Sequence, residues 1–220
     1  ATQMINTYTN TSGFGSTPNS SFFNQSSNLI DNSNIENLVN DWTSGGNTKQ
    51  TVIDNYGHIS AWDVSSVTSM ISLFNNKNTF NDDIGNWDVS GVTNMTSMFN
   101  EASSFNQNIG NWDVSNLLTM NSMFNGASSF NQDIGNWDVS SVTNMTATFK
   151  DASNFNQNIS SWNVSSVNNM FYMFDGATNF NQHIRIWDTS IIQNGFSDMF
   201  TNATQMINTY TNTSGFGSTP

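Results

Sequence analysis

Carboxylates recur in this chain at one fixed interval. Asp63, Asp88, Asp113, Asp138 and Asp188 follow a step of 25 residues, with Asn163 filling the one remaining place. On stacked parallel strands these positions would form a row with neighbours about 5 Å apart. A hard cation takes such oxygen ligands, so Asp63, Asp88, Asp113 and Asp138 are candidate metal ligands and calcium is the cofactor they would hold. The preferred reading is plainer and needs no cofactor. Each Asp would hydrogen-bond the turn before a helix and complement its positive end. Asp82–Asp83 stands where later repeats carry Gln followed by Asn, Asp or His, and is expected to be simply solvated. His58 and His183 are the only histidines and there is no Cys, so thiolate sites and disulfides are excluded. The sequence has no Walker loop, dinucleotide fingerprint or His-Glu zinc motif. The expectation is a protein that is not an enzyme.

The elements that must position these residues share the same period. Trp occupies 62, 87, 112, 137, 162 and 187; Phe occupies 80, 105, 130, 155 and 180, each followed by Asn. Ile, Met and a second Phe column run in phase, for example Ile84, Met95 and Phe99. A 25-residue period marks a repeat architecture, in which one unit buries its large side chains only against its neighbours. Trp62, Trp87, Trp112, Trp137, Trp162 and Trp187, with Phe80, Phe105, Phe130, Phe155 and Phe180, are therefore the expected core. The Trp column could otherwise serve as a stacking platform for sugars, but Trp87 and Val89 lie two apart and would share one inward face. The Asn after each Phe is expected to satisfy backbone groups of the loops.

Two periodicities alternate within a unit. "NWDVS" at 86–90 has the alternation of a short strand, and a Ser invariably follows it, at 65, 90, 115, 140, 165 and 190. Val92, Met95 and Phe99 then have helical spacing, and Ser is a favoured N-cap. The expected fold is an α/β solenoid, leucine-rich-repeat-like, of about six 25-residue strand–helix repeats with capping segments. A parallel β-helix is the alternative. The pattern F-N-x-x-I-x-x-W-D-V-S-x-V-x-x-M-x-x-x-F, over about residues 59–207, resembles the BspA-type leucine-rich-repeat surface proteins, including their mycoplasma lipoprotein branch. That resemblance implies a surface location and a role in adhesion without a catalytic site.

The ends complete the organisation. "SNIENLVNDWTSGG" at 33–46 has a capping-box pattern at Ser33 and Glu36, then Ile35, Leu38, Val39 and Trp42 on one helical face. It predicts a capping helix within an N-terminal region of 19–58. The repeat region spans 59–207, and its sixth repeat degenerates in the manner of a closing unit. Residues 1–18 and 203–220 are identical, "ATQMINTYTNTSGFGSTP". We read 1–18 as the end of a preceding unit or a linker, and 208–220 as a Ser/Thr/Gly-rich linker. A tandem array with a 202-residue period explains the copies, and neighbouring copies of the chain are then its partners. An artificial duplication, or pairing of the two segments between subunits, explains them otherwise.

The charge balance excludes some partners. Net charge is −12, with Lys49, Lys77, Lys150 and Arg185 the only basic residues. This disfavours nucleic acid and anionic membranes, and no apolar run is long enough for membrane insertion. The functional expectation is a non-enzymatic, extracellular or surface-attached structural repeat protein, one unit of an array or filament. The alternative is an adhesin that binds a host surface protein or glycan through the strand face, with Asn86, Asp88, Asn111, Asp113, Asn136 and Asp138 outward.

Overall fold

The computed structural model describes residues 28–192 and 195–210. The expectations for 1–18 and for 211–220 lie outside those residues. Two helices open the described chain, α1 (Ile35–Ser44) and α2 (Gly46–Tyr56), followed by a 3-10 turn at Ile59–Ala61; α3 (Thr204–Tyr210) closes it. Between these ends lies a stack of 25-residue rungs.

The α1 segment forms where its apolar spacing places it. Ile35, Leu38, Val39 and Trp42 are all buried, and Gly45, at φ 74, ends the helix. The capping box does not form. The residue before α1 is Asn34, which makes no side-chain cap bond, and the Ser33 amide and hydroxyl both donate to Asp31 Oδ1. The following helix, α2, buries only Val52 fully and has no clear apolar stripe, which is why the sequence pattern does not announce it. At the other end, α3 runs through 208–210, where a linker is expected from composition. Ala203 and Met206 are buried beneath the last rung.

The strand–helix solenoid expected from the pattern is incorrect, and so is the parallel β-helix. Among the described residues no helix lies between Ala61 and Thr204. No sheet forms; pairing of strand type is limited to isolated parallel bridges, Asp31 with Ser66 and then the column Ser69, Asn94, Thr119, Asn144 and Asn169. The hydrogen bonds show why. In the rung at 70–77, the amides of Met70, Ser72, Phe74 and Asn76 donate to the carbonyls of Asn94, Thr96, Met98 and Asn100 in the next rung. The amides between them, of Leu73, Asn75 and Lys77, instead close turns onto the carbonyls of Met70, Ser72 and Phe74. Amides that join rungs thus alternate with amides that fold the rung upon itself, so neither a ladder nor an i→i−4 helix can propagate.

Side chains favour this arrangement over helix. Asn94 Oδ1 accepts the amide of Thr96 at 2.9 Å, and Asn144 does the same for Thr146. Thr, Asn and Ser compete for the backbone in this way and weaken helix. The turns also need left-handed residues. Ser72, Ser97, Ser122, Ala147 and Tyr172 have φ between 51 and 56 at successive equivalent places. None is Gly, so each carries local strain of about 1–2 kcal/mol. Ala147→Gly is therefore expected to raise stability by about 0.5–1 kcal/mol, relief of that strain outweighing Gly's added backbone entropy. Urea unfolding checks this; a destabilised variant would contradict the left-handed assignment.

The core is a set of aromatic columns. Phe74, Phe99, Phe124, Phe149, Phe174 and Phe200 stack at centroid distances of 5.4, 5.5, 5.6, 5.7 and 5.7 Å. Alongside, Phe80, Phe105, Phe130, Phe155 and Phe180 repeat at 5.9–6.0 Å. The two columns touch within each rung at 3.9–4.1 Å. Nearly parallel rings repeat at each level because equivalent residues are held one hydrogen-bonded step apart. Such ring pairs contribute about 0.5–1.5 kcal/mol beyond the area they bury.

Candidate functional site

The carboxylate row is built from short local bonds. Asp88 Oδ1 accepts the Ser90 amide at 3.1 Å and the Ser90 hydroxyl at 2.6 Å. Asp63 and Asp113 hold Ser65 and Ser115 in the same way, and Asn163 does so for Ser165 without a charge. Thus the Ser hydroxyl donates backward to Asp and caps no helix, since none follows. Asp31 with Ser33 makes the same pair ahead of the repeats, off their 25-residue register, a role signalled by the same D-x-S spacing that the periodic column does not include. Each Asp uses an oxygen on its own Ser, and among the described residues no three His, Cys, Asp or Glu side chains are grouped as metal ligands. The adhesin-face residues Asn86, Asp88, Asn111, Asp113, Asn136 and Asp138 are all exposed, alternating with buried Trp and Val. They lie on irregular backbone, so the strand face they were assigned to does not exist as a strand.

These bonds make stability pH-dependent. The carboxyls of Asp63, Asp88, Asp113, Asp138 and Asp188 are held below their ordinary value of 3.8, chiefly by the Ser hydroxyl and next by the Ser amide. A depressed folded pKa contributes stability that is full above the unfolded value and is lost as pH falls through the folded one. Replacing all five by Asn, as Asn163 already is, is expected to flatten the loss of stability below about pH 4. Urea midpoints at stepped pH measure it, and an acid limb as steep as the parent's would contradict the assignment.

The Trp and Asn columns serve the stack. The indole Nε1 of Trp87, Trp112, Trp137, Trp162 and Trp187 donates to the carbonyl of Ile59, Ile84, Ile109, Ile134 and Ile159, each 28 residues earlier. These indoles are buried, Trp62 included. Asn81, Asn106, Asn131 and Asn156 each accept, at Oδ1, the amide of the equivalent Asn one rung on, at 2.8–2.9 Å. Gln107, Gln132, Gln157 and Gln182 reach back to the same Asn residues. Among the described residues the ladder ends at Asn181, whose Oδ1 has no partner: at the next place the Ile207 amide donates instead to the Ala203 carbonyl as α3 begins.

At the other end the Gln column opens with Asp82, and the change has a reason. The first rung has no earlier Asn for a Gln to reach, and Asp82 Oδ2 instead accepts from Trp42 Nε1 of α1 at 2.8 Å. Its neighbour Asp83 accepts the Gly85 amide. The acidic pair is therefore not simply solvated: one member ties the capping helix to the stack. The join leaves a cleft of about 400 Å³, lined by residues of α1, the start of α2 and the loop 76–82. Lys49 and Lys77 both line it, with the Lys49 Nζ 3.9 Å from the Trp42 ring centroid. His58 packs against Trp42, ring edge to face at 4.8 Å, and its Nδ1 is hydrogen-bonded to Ser60 Oγ.

Comparison with known proteins places these features. The family described as "Mycoplasma protein of unknown function, DUF285" matches residues 19–150 and again 132–214. The chain belongs to that family. The two DUF285 matches overlap by part of the repeat region, as expected where one pattern fits a periodic chain in more than one register. No curated protein and no solved structure matches the chain.

Proposed function

We propose that this DUF285 chain is a non-enzymatic structural module of an extracellular, surface-attached protein, one unit of a tandem array. The observation that carries this reading is the unbroken stack. Phe columns run from Phe74 to Phe200 and the Trp-to-Ile bonds span every rung interface from Ile59 to Trp187. A body held by nearest-neighbour contacts alone transmits load along its axis and lengthens by adding units. The kinship of DUF285 with BspA-like surface repeat proteins supports the surface location. Identical stretches at 1–18 and 203–220 support repetition of the whole unit. Calcium has no role in this reading.

The mass of the native polypeptide under fully denaturing conditions tests it. Masses rising in steps of the 202-residue period are expected. A single species of 24.3 kDa would overturn the array. A second reading, an adhesin, is favoured by the exposed row from Asn86 to Asp138. Asp88→Ala with Asp113→Ala would weaken binding to a host protein or glycan in that case, and leave array assembly unchanged.

A further inference from the structure

Positive charge is scarce in this chain, and half of it faces one cleft. Of the four basic residues, Lys150 is bound to Asp175 at 2.7 Å and Arg185 lies in the last full repeat. Lys49 and Lys77 line the cleft between α1 and the first rung. Neither ammonium has a salt-bridge partner among the described residues. The one carboxylate beside them, Asp82, is engaged by the Trp42 indole. Locally the charge is +1, in a molecule of net charge −12. Repulsion from distant carboxylates is screened beyond about 8–10 Å in physiological salt, so a ligand seated in the cleft feels chiefly the groups that line it, Lys49 and Lys77 against Asp82.

We propose that this cleft binds a saccharide bearing a single carboxylate, such as a uronic or sialic acid residue. The volume of about 400 Å³ is that of a small-ligand site. The walls are amides and hydroxyls without further charge, including Asn40, Thr43, Asn76 and Thr79. Such groups donate to and accept from sugar hydroxyls. Asp82 disfavours a dianion such as phosphate, whereas one carboxylate balances the local charge. A nucleotide is disfavoured as well: the two aromatic rings in the lining, Trp42 and Phe80, are 1% and 4% exposed and offer no face for a base. Lys49, held over Trp42, is already placed at one side, and Lys77, on the facing loop, supplies the second contact.

The test is an NMR titration of the full chain at constant ionic strength. The Trp42 indole Nε1–H resonance, assigned by its loss in Trp42→Phe, is the reporter. Sodium glucuronate and N-acetylneuraminate are the acidic probes, with glucose and inorganic phosphate as controls. At least one acidic sugar is expected to give a saturable shift, with glucose and phosphate about tenfold weaker or more. Lys77→Gln is expected to weaken the acidic sugar about fivefold or more while Lys77→Arg stays within about twofold. Lys77 is partly exposed on a loop, so the rest of the spectrum should persist in both variants. Absence of saturation with both acids, equal binding of phosphate or glucose, or indifference to Lys77→Gln would each overturn the proposal.

Discussion

Phe124→Ala is expected to lower the unfolding free energy by about 3–5 kcal/mol. Phe124 is fully buried and meets four rings, Phe130 at 4.1 Å, Phe99 at 5.5 Å, Phe149 at 5.6 Å and Trp137 at 6.3 Å. The void cannot close by drawing the rungs together, because the backbone at that level is tied on both sides. The Phe124 amide donates to Thr148 and the Phe99 amide to Met123. Loss of contact therefore remains as cavity, which is the costly case. With a urea slope of about 2 kcal/mol/M, the midpoint falls by about 2 M. Phe124→Leu retains most of the volume and is expected to cost about 1.5–3 kcal/mol, since a branched chain leaves both ring neighbours partly unfilled. A loss below about 1 kcal/mol for Phe124→Ala would mean that the columns do not stack as described.

Much of this was legible in the sequence, but the backbone was not. The period and the in-phase Trp, Phe, Met and Asn columns follow from equivalent residues meeting one rung apart, so a 25-residue ruler finds them. What happens between columns is harder. Val92, Met95 and Phe99 have the spacing of a helix face, yet steps of three and four residues equally describe successive tight turns whose apolar corners all point inward. The deciding variable is where each amide goes: Met95 and Ser97 donate to the next rung, whereas Met98 turns back onto Met95. Gly126 and Gly176 mark one left-handed place in two rungs, but Asn76, Glu101 and Asp151 fill it in others. At the second left-handed place no rung signals the turn with Gly, and Ser97, Ala147 and Tyr172 hide it. Period-two alternation at 86–89 proved real as burial, exposed Asn86 and Asp88 against buried Trp87 and Val89, without a strand to carry it. At the candidate cleft, the signal was Asp82 in a Gln column. It was visible as an exception, but its partner Trp42 lies 40 residues earlier and on another element.

Trp42→Ala is expected to remove about as much stability as a lesion in the middle of the stack, about 3–5 kcal/mol, but to distribute it differently. Trp42 is 1% exposed. It packs edge-to-face on Trp62 at 5.9 Å and His58 at 4.8 Å, lies under Lys49, and donates to Asp82. Losing it uncovers the first rung, while every interface from Trp87 onward keeps its own contacts. In a nearest-neighbour stack an end defect lets terminal units open before the rest. Amide exchange in Trp42→Ala should therefore accelerate strongly through 59–80 and little beyond about 120, whereas Phe124→Ala, with coupled rungs on both sides, should lose protection on both flanks of its level. Trp42→Phe separates the two contributions of the residue. It keeps most of the packing but leaves Asp82 without its donor, and the partly exposed carboxylate can turn to water, so its cost should stay near about 1–2 kcal/mol. Uniform acceleration along the chain in Trp42→Ala would show one cooperative body instead of a stack of neighbours, and the cap would then protect the whole molecule rather than its first rung.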